Sequence, residues 1–347
     1  MGKLTKPIRD YVASEYLWCK QGSPCWVEQD AGDHLEDDDV FLAAQLIEID
    51  TEKLTATVKY VEKSDGPDTI HLTRIMQRDP KQYSRLTDLV DLPILNDAEL
   101  HEKIRERFKN NKIMTYIGPS LLIVNPFRRI KASQRLMDTF YDCVMNPNTA
   151  RVRDHPPHVW AIATHSYLEL YLNNKNQAIC ISGESGAGKT FNTKTAMAFL
   201  TGLNEKFGGV QVAAGESKIE DRIMMCNPVL EALGNAKTVR NDNSSRFGKY
   251  ISLFVENNCI IGASIKSYLL EAIRITTPNE SERNYHIFYQ LLRGGDKPMI
   301  REFGLDREPF HYKFLKKSGC KDVHTINDID DYHELLNSLQ VFILFSR

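Results

Sequence analysis

The sequence predicts an α/β fold, with helices flanking a mixed sheet and a small β-barrel-like module in front. Helix-like and strand-like stretches alternate from His158 onward, which argues for interleaved rather than segregated elements. A glycine-rich loop, residues 183–190, joins a short apolar run to a helical pattern. Upstream, residues 26–73 break into short β-branched or alternating runs bounded by turn residues.

In that first module the runs are Val40-Phe41-Leu42, Ala43–Ile49 and Leu54–Val61, separated by Asp37-Asp38-Asp39 and Asp50-Thr51-Glu52. They form either a small barrel or a β-extension of the domain that follows, and Ser64–Asp68 reads as a hairpin tip. Residues 97–111 predict a helix capped by Asp97, with Leu100, Ile104 and Phe108 along one face. Met114–Val124 predicts one buried strand stopped at Asn125-Pro126, because proline cannot continue a ladder. Next come a helix at His158–Leu172, a buried strand at Ala178–Ile181, and helices at Thr190–Leu203 and Ile219–Leu233. Tyr250–Val255 and Cys259–Lys266 pair as a hairpin across Glu256-Asn257-Asn258, and Asn284–Leu292 and Tyr332–Leu339 follow as helices.

Composition narrows the function classes. A chain of 347 residues can bury a sizeable core, and 42% apolar with 26% charged residues is ordinary for a soluble globular protein. A net charge of −2 gives no global pull toward nucleic acid or an anionic membrane surface. No apolar run approaches the roughly 20 residues of a membrane span, so no membrane insertion is expected. The first residues lack the apolar stretch of a secretory signal, and Lys6 stands where a myristoylation site needs Ser or Thr. The seven cysteines, Cys19, Cys25, Cys143, Cys180, Cys226, Cys259 and Cys320, contain no Cys-x-x-Cys pair. Neither a zinc site nor a disulfide framework is suggested. Reduced, mostly buried thiols in a cytoplasmic protein are the expectation.

The sharpest motif is Gly183-Glu184-Ser185-Gly186-Ala187-Gly188-Lys189-Thr190, which matches the P-loop pattern and predicts a P-loop NTPase core. Gly183, Gly186 and Gly188 let the backbone wrap a polyphosphate with its N–H groups pointing inward. The helix that begins near Lys189 adds its positive dipole end. Lys189 would span the β- and γ-phosphates of ATP, and the Thr190 hydroxyl would ligate Mg²⁺.

A second segment, Asn235–Lys249, is polar where its neighbours are apolar. Its amides, hydroxyls and arginines are the donors that a triphosphate and its metal require, and they equally suit a solvated loop. Together, GESGAGKT and NAKTVRNDNSSRFGKYI resemble the P-loop and switch I of myosin heavy chains. Other stretches agree in order: Asn125-Pro126-Phe127 with the purine loop, Pro157–Ala163 with the helix before the P-loop, then Leu269-Leu270-Glu271, Glu282–Leu292 and Ser318-Gly319-Cys320. The resemblance runs from about residue 15 to residue 340, and the first β-module sits where many myosins carry an SH3-like subdomain.

The resemblance implies roles for individual residues. Ser245 would be the second Mg²⁺ ligand beside Thr190, Ser244 would position the attacking water, and Asn241 would contact the phosphates. Arg246 would form the ion pair that closes switch I onto switch II, while Asn125 and Arg129 would approach the adenine. Glu184, Ser185 and Ala187 complete the phosphate cradle. ATP and Mg²⁺ are the implied ligands, actin filaments the implied partner, and actin-activated ATP hydrolysis the implied activity.

Implied boundaries are 1–78 for the N-terminal extension with the SH3-like subdomain, 79–340 for the front of the motor domain, and 341–347 for an atypical tail. The Asp-Ile-x-Gly-Phe-Glu segment of switch II does not occur in these residues, which leaves Arg246 without its family glutamate. Hydrolysis by this chain alone is therefore expected to be impaired, and its unfolding to be poorly cooperative. Val341–Arg347 reads as a terminal strand, as unrelated sequence, or as a genuine short terminus. Phe191 replaces the family's usual Glu after Thr190, as filler for a changed base site or as helix–core packing, and Ser133 stands where many members have Tyr.

Overall fold

A computed structural model describes residues 16–29, 40–62, 66–81, 86–207 and 219–345. Lys6, the Asp37–Asp39 turn, Ser64 and Asp65 of the Ser64–Asp68 tip, and the final two residues lie outside them. The chain divides into two compact units, residues 1–130 and 131–347.

The first unit is built on an antiparallel sheet of β1 (Pro24–Glu28), β2 (Phe41–Asp50), β3 (Thr55–Tyr60), β4 (Asp68–His71) and β5 (Ile75–Gln77), in the order β4-β3-β2-β1-β5. The two runs expected between residues 40 and 49 are one strand, because its bulge between Leu46 and Glu48 absorbs the break in alternation. One face buries Val27, Ala44, Leu46, Val58, Ile70 and Leu72 in a common core with Cys25. Burial pushes the Cys19 thiol up to about 12 and Cys25 up to about 11, so both stay protonated.

Helix α1 (Asp97–Lys109) forms as expected, but Asn96 caps it, accepting a hydrogen bond from Glu99 N at 2.9 Å. Its buried face is polar: Glu99, Lys103 and Arg107 are covered, whereas Phe108 is exposed. Glu99 accepts from the Trp26 indole and Asp79 N, each at 2.8 Å. Arg107 donates to Thr115 Oγ1 and to the carbonyls of Leu86 and Met114. Tertiary hydrogen bonds thus override the apolar repeat. The single strand expected at 114–124 is a hairpin, β6 (Met114–Ile117) and β7 (Ser120–Ile123), because Gly118 takes a φ of +50° ahead of Pro119.

The second unit opens with α2 (Gln134–Met145), which the sequence reading passed over; Ser133 caps it, accepting from Leu136 N at 3.1 Å. Then come α3 (Val159–Asn173), α4 (Lys189–Lys206) and α5 (Ile219–Gly234). Helices α3 and α4 share a core in which Phe199 stacks with both Trp160 and Tyr141 of α2. After the short ladder β8 (Asn235–Ala236) and β9 (Ser244–Ser245), the long hairpin β10 (Gly248–Glu256) and β11 (Cys259–Tyr268) turns at Asn257 and Asn258. Both turn residues have positive φ, the geometry of a tight primed turn. Helix α6 spans His286–Gly294, and α7 spans Asp328–Phe345 and packs on α5 and α6.

Two expectations fail here. Ala178–Ile181 is neither a strand nor buried, because no strand among the described residues supplies it with a ladder partner. The run from Val341 continues α7 to Phe345 instead of forming a strand.

Candidate phosphate-binding site

The loop at 183–190 takes its shape from glycine. Gly183, Gly186 and Gly188 have φ of +148°, +83° and +94°, where a side chain brings strain. At Gly183 an added Cβ would also lie 3.1 Å from Ala187 Cβ. The loop runs directly into α4, whose cap is Gly188 and whose first-turn amides receive no side-chain cap. Such an N-terminus of an 18-residue helix offers free N–H donors and a positive dipole end to an anion. Lys189 Nζ donates to the carbonyls of Gly183 (2.7 Å) and Glu184 (2.9 Å), which keeps the ammonium at the loop. Thr190 follows in the first helical turn, half-buried.

The second polar segment is a pinned loop and not a free solvated one. Its stem is the β8–β9 pairing of Asn235 with Ser245 and Ala236 with Ser244, extended by Arg246 N donating to Gly234 O at 2.9 Å. At its tip Thr238 N donates to Asn241 O at 2.8 Å, and Asn243 N to Asn241 Oδ1 at 3.1 Å. Asn243 anchors the loop from below: its Oδ1 accepts from Asn235 Nδ2 (2.8 Å) and lies 3.2 Å from His286 Nε2. Burial, reinforced by the nearby Arg283 charge, pushes His286 down to about 3. The neutral ring therefore donates from Nε2. Asn243 Nδ2 donates to Glu231 Oε2 (3.1 Å), whose other oxygen takes Lys194 Nζ of α4 at 2.8 Å. Glu231 thereby ties the loop to the helix that carries Lys189.

The two segments meet. Ser185 Oγ and Ser244 Oγ are 2.7 Å apart, and Gly186 has room for a Cβ only 3.8 Å from Asn241 Cβ. Arg240 Nη1 lies 3.0 Å from Glu184 Oε2, but both side chains are exposed, so this pair contributes little. Arg246 Nη1 donates to Ser244 Oγ (3.2 Å) and its Nε to Glu271 Oε2 (2.7 Å). The expectation that Arg246 lacks a glutamate is thus corrected. Glu271, just beyond β11, is that partner, and its backbone N also donates to Arg246 O at 3.0 Å. Burial favours the neutral form of Glu271, yet the guanidiniums of Arg246 and Arg274 override it and hold the carboxyl below its usual range.

Asn125 and Arg129 belong to the first unit, where Asn125 Oδ1 accepts from Phe127 N (2.9 Å) and Arg129 is exposed. Phe191 is exposed in the first turn of α4, so the core-packing reading does not hold. Glu231, Asn243, Glu271 and His286 carry no role in the sequence reading. Asn243, Glu271 and His286 do fall in the quoted blocks, and an acid directly after an apolar strand and a histidine opening a helix were the available signals.

A profile described as myosin head (motor domain) matches residues 86–346. The chain belongs to the myosin head family. Myosin-51 of Schizosaccharomyces pombe is 36% identical over 315 residues, which cover 90% of this chain and 20% of that protein. Unconventional myosin-Ic of Rattus norvegicus is 39% identical over 288 residues, 82% of this chain and 26% of the relative. The Mus musculus protein of that name is 43% identical over 249 residues, 71% of this chain and 22% of the relative. The chain spans about a fifth to a quarter of the length of these curated relatives. A myosin head implies nucleotide and Mg²⁺ binding in general, and no described helix is long and apolar enough to cross a membrane.

Proposed function

We propose that this chain is the Mg·ATP-binding front portion of a myosin motor head, with Gly183–Thr190 as P-loop, Asn235–Lys249 as switch I and the five-stranded sheet as the SH3-like subdomain. The observation that carries this reading is the 2.7 Å contact between Ser185 and Ser244, which sets the two polar loops face to face. The residues fit a triphosphate and its metal. The three positive-φ glycines carry no side chain over the loop, α4 presents amides without a side-chain cap, and Lys189 supplies an ammonium held at the loop by two carbonyls. Thr190 and Ser245 offer the hard oxygen donors that Mg²⁺ prefers.

Bound Mg·ATP would bring a metal that neutralises charge on the β- and γ-phosphates. The chain's own residues do the rest. Lys189 holds phosphate oxygens, Asn241 donates to them, Ser244 orients water at the phosphate end, and Arg246 keeps Ser244 in place. Glu184 and Ser185 contribute backbone N–H groups, while Ala187, whose N–H donates to Glu184 O at 3.1 Å, closes the turn of the cradle. In the complete motor, this pocket would serve actin-activated ATP hydrolysis that drives movement along filaments in the cytoplasm.

Calorimetric titration of Mg·ATP into the chain tests the assignment. Lys189→Ala is expected to weaken binding about a hundredfold, the worth of charge-assisted hydrogen bonds to phosphate. Ser245→Ala is expected to reduce the difference between titrations with and without Mg²⁺. Unchanged affinity in Lys189→Ala sinks the phosphate-loop assignment.

A further inference from the structure

Arg246 does not stand alone beside switch I. Its Nε donates to Glu271 Oε2 at 2.7 Å, and the same oxygen takes Arg274 Nε at 2.6 Å. Arg274 is almost wholly buried and reaches Glu282 Oε2 at 2.9 Å through Nη2 and Arg283 O at 3.0 Å through Nη1. Glu282 Oε1 in turn accepts from Val239 N in the switch I loop at 3.3 Å. Two backbone bonds set the Glu271 main chain: its N–H donates to Arg246 O at 3.0 Å, and its carbonyl accepts from Tyr285 Oη at 2.7 Å. A continuous set of contacts therefore runs from the P-loop through Ser185, Ser244 and Arg246 to Glu271, Arg274 and Glu282, and returns to the loop at Val239.

We propose that Glu271 is a positioning residue for nucleotide binding: its carboxylate docks Arg246 and so holds the Asn235–Lys249 loop against the P-loop. The geometry favours this over a passive surface pair. Arg246 and Glu271 are 26% and 30% exposed, so their attraction is only partly screened. Arg246 also spends a second donor on Ser244, the residue whose hydroxyl meets Ser185. Losing the carboxylate frees the guanidinium to turn toward solvent, and Ser244 then loses the donor that fixes its rotamer. Buried Arg274 keeps Glu282 and Arg283 O as partners, which limits the damage to the fold.

The inference rests on the assignment of the two loops to a phosphate site, so its test needs one readout that involves no nucleotide. Limited trypsin digestion of the 347-residue chain without ATP supplies it, scored as cleavage after Arg240 relative to cleavage after Lys317. Glu271→Gln and Arg246→Met should each raise the Arg240 rate about tenfold with the Lys317 rate unchanged, as expected for removal of one charge-assisted contact. A rise at both sites means general destabilisation and overturns the proposal, as does no rise at either.

Binding of a fluorescent ATP analogue with Mg²⁺ supplies the second readout. Each single variant should lose about tenfold in affinity and the double variant no more than either, because both remove the same contact. Losses that multiply in the double variant overturn the proposal. If Lys189→Ala abolishes binding while Glu271→Gln binds normally, this inference alone fails; if Lys189→Ala also binds normally, the phosphate-site reading fails with it.

Discussion

At the scale of single residues, the loops owe their form to a few positions where only one chemistry serves. Gly183 needs both a φ of +148° and the absence of a Cβ, whereas Phe191 faces solvent and meets no such demand from the fold. The most demanding residue is Arg283, with no exposed surface, whose Nη2 donates to both oxygens of Asp328 at 2.8 and 2.9 Å. Its guanidinium also sits 3.8 Å over the Tyr289 ring. Asp328→Asn would leave that buried charge uncompensated, so unfolding in urea should show a loss of about 3–5 kcal/mol with an unchanged denaturant slope. A loss below 1 kcal/mol would mean that Arg283 finds its compensation elsewhere. Residues of this kind are hard to read in a sequence. The glycines of the 183–190 loop and Lys189 announce themselves by spacing, but Glu271 meets Arg246 only because β11 returns the chain beside it.

Elements that draw stability from local periodicity were legible, and those that depend on distant partners were not. Helices α3 and α4 and the β10–β11 hairpin emerge near their expected bounds, because capping, apolar spacing and the Asn257-Asn258 turn are local signals. Helix α1 emerges with the wrong buried face, since Glu99 and Arg107 answer to Trp26 and Thr115 and not to their own helix. Ala178–Ile181 fails as a strand for want of a neighbour. Helix α6 carries a pH dependence of its own. An unfolded histidine titrates near 6.5, whereas His286 at the start of α6 stays neutral to about 3 and His158 at the start of α3 to about 4. Between those values the unfolded chain binds protons that the native chain refuses, so stability falls as pH drops below about 6.5. At pH 5 the cost is about 2 kcal/mol for each of these histidines. Thermal midpoints of wild type and His286→Gln from pH 8 to pH 5 should converge on the acid side, the variant losing less. Parallel curves would show that His286 is protonated in the native chain.

For the whole molecule, family membership and nucleotide chemistry rest on different footings. The match over residues 86–346 and identities of 36–43% assign the myosin head. The assignment of ATP to this pocket rests on the meeting of two loops that lie some sixty residues apart in the chain and are joined at Ser185 and Ser244. On the proposed assignment, the γ- and β-phosphates should dominate affinity and the base should contribute a smaller share. The measurement that tests this most directly is a pair of equilibrium titrations of the intact chain, with ATP and with AMP, in excess Mg²⁺. ATP should bind at least about a hundredfold tighter than AMP, and Lys189→Ala should erase most of that difference. Equal affinity for ATP and AMP, or a preference that survives Lys189→Ala, would contradict the account.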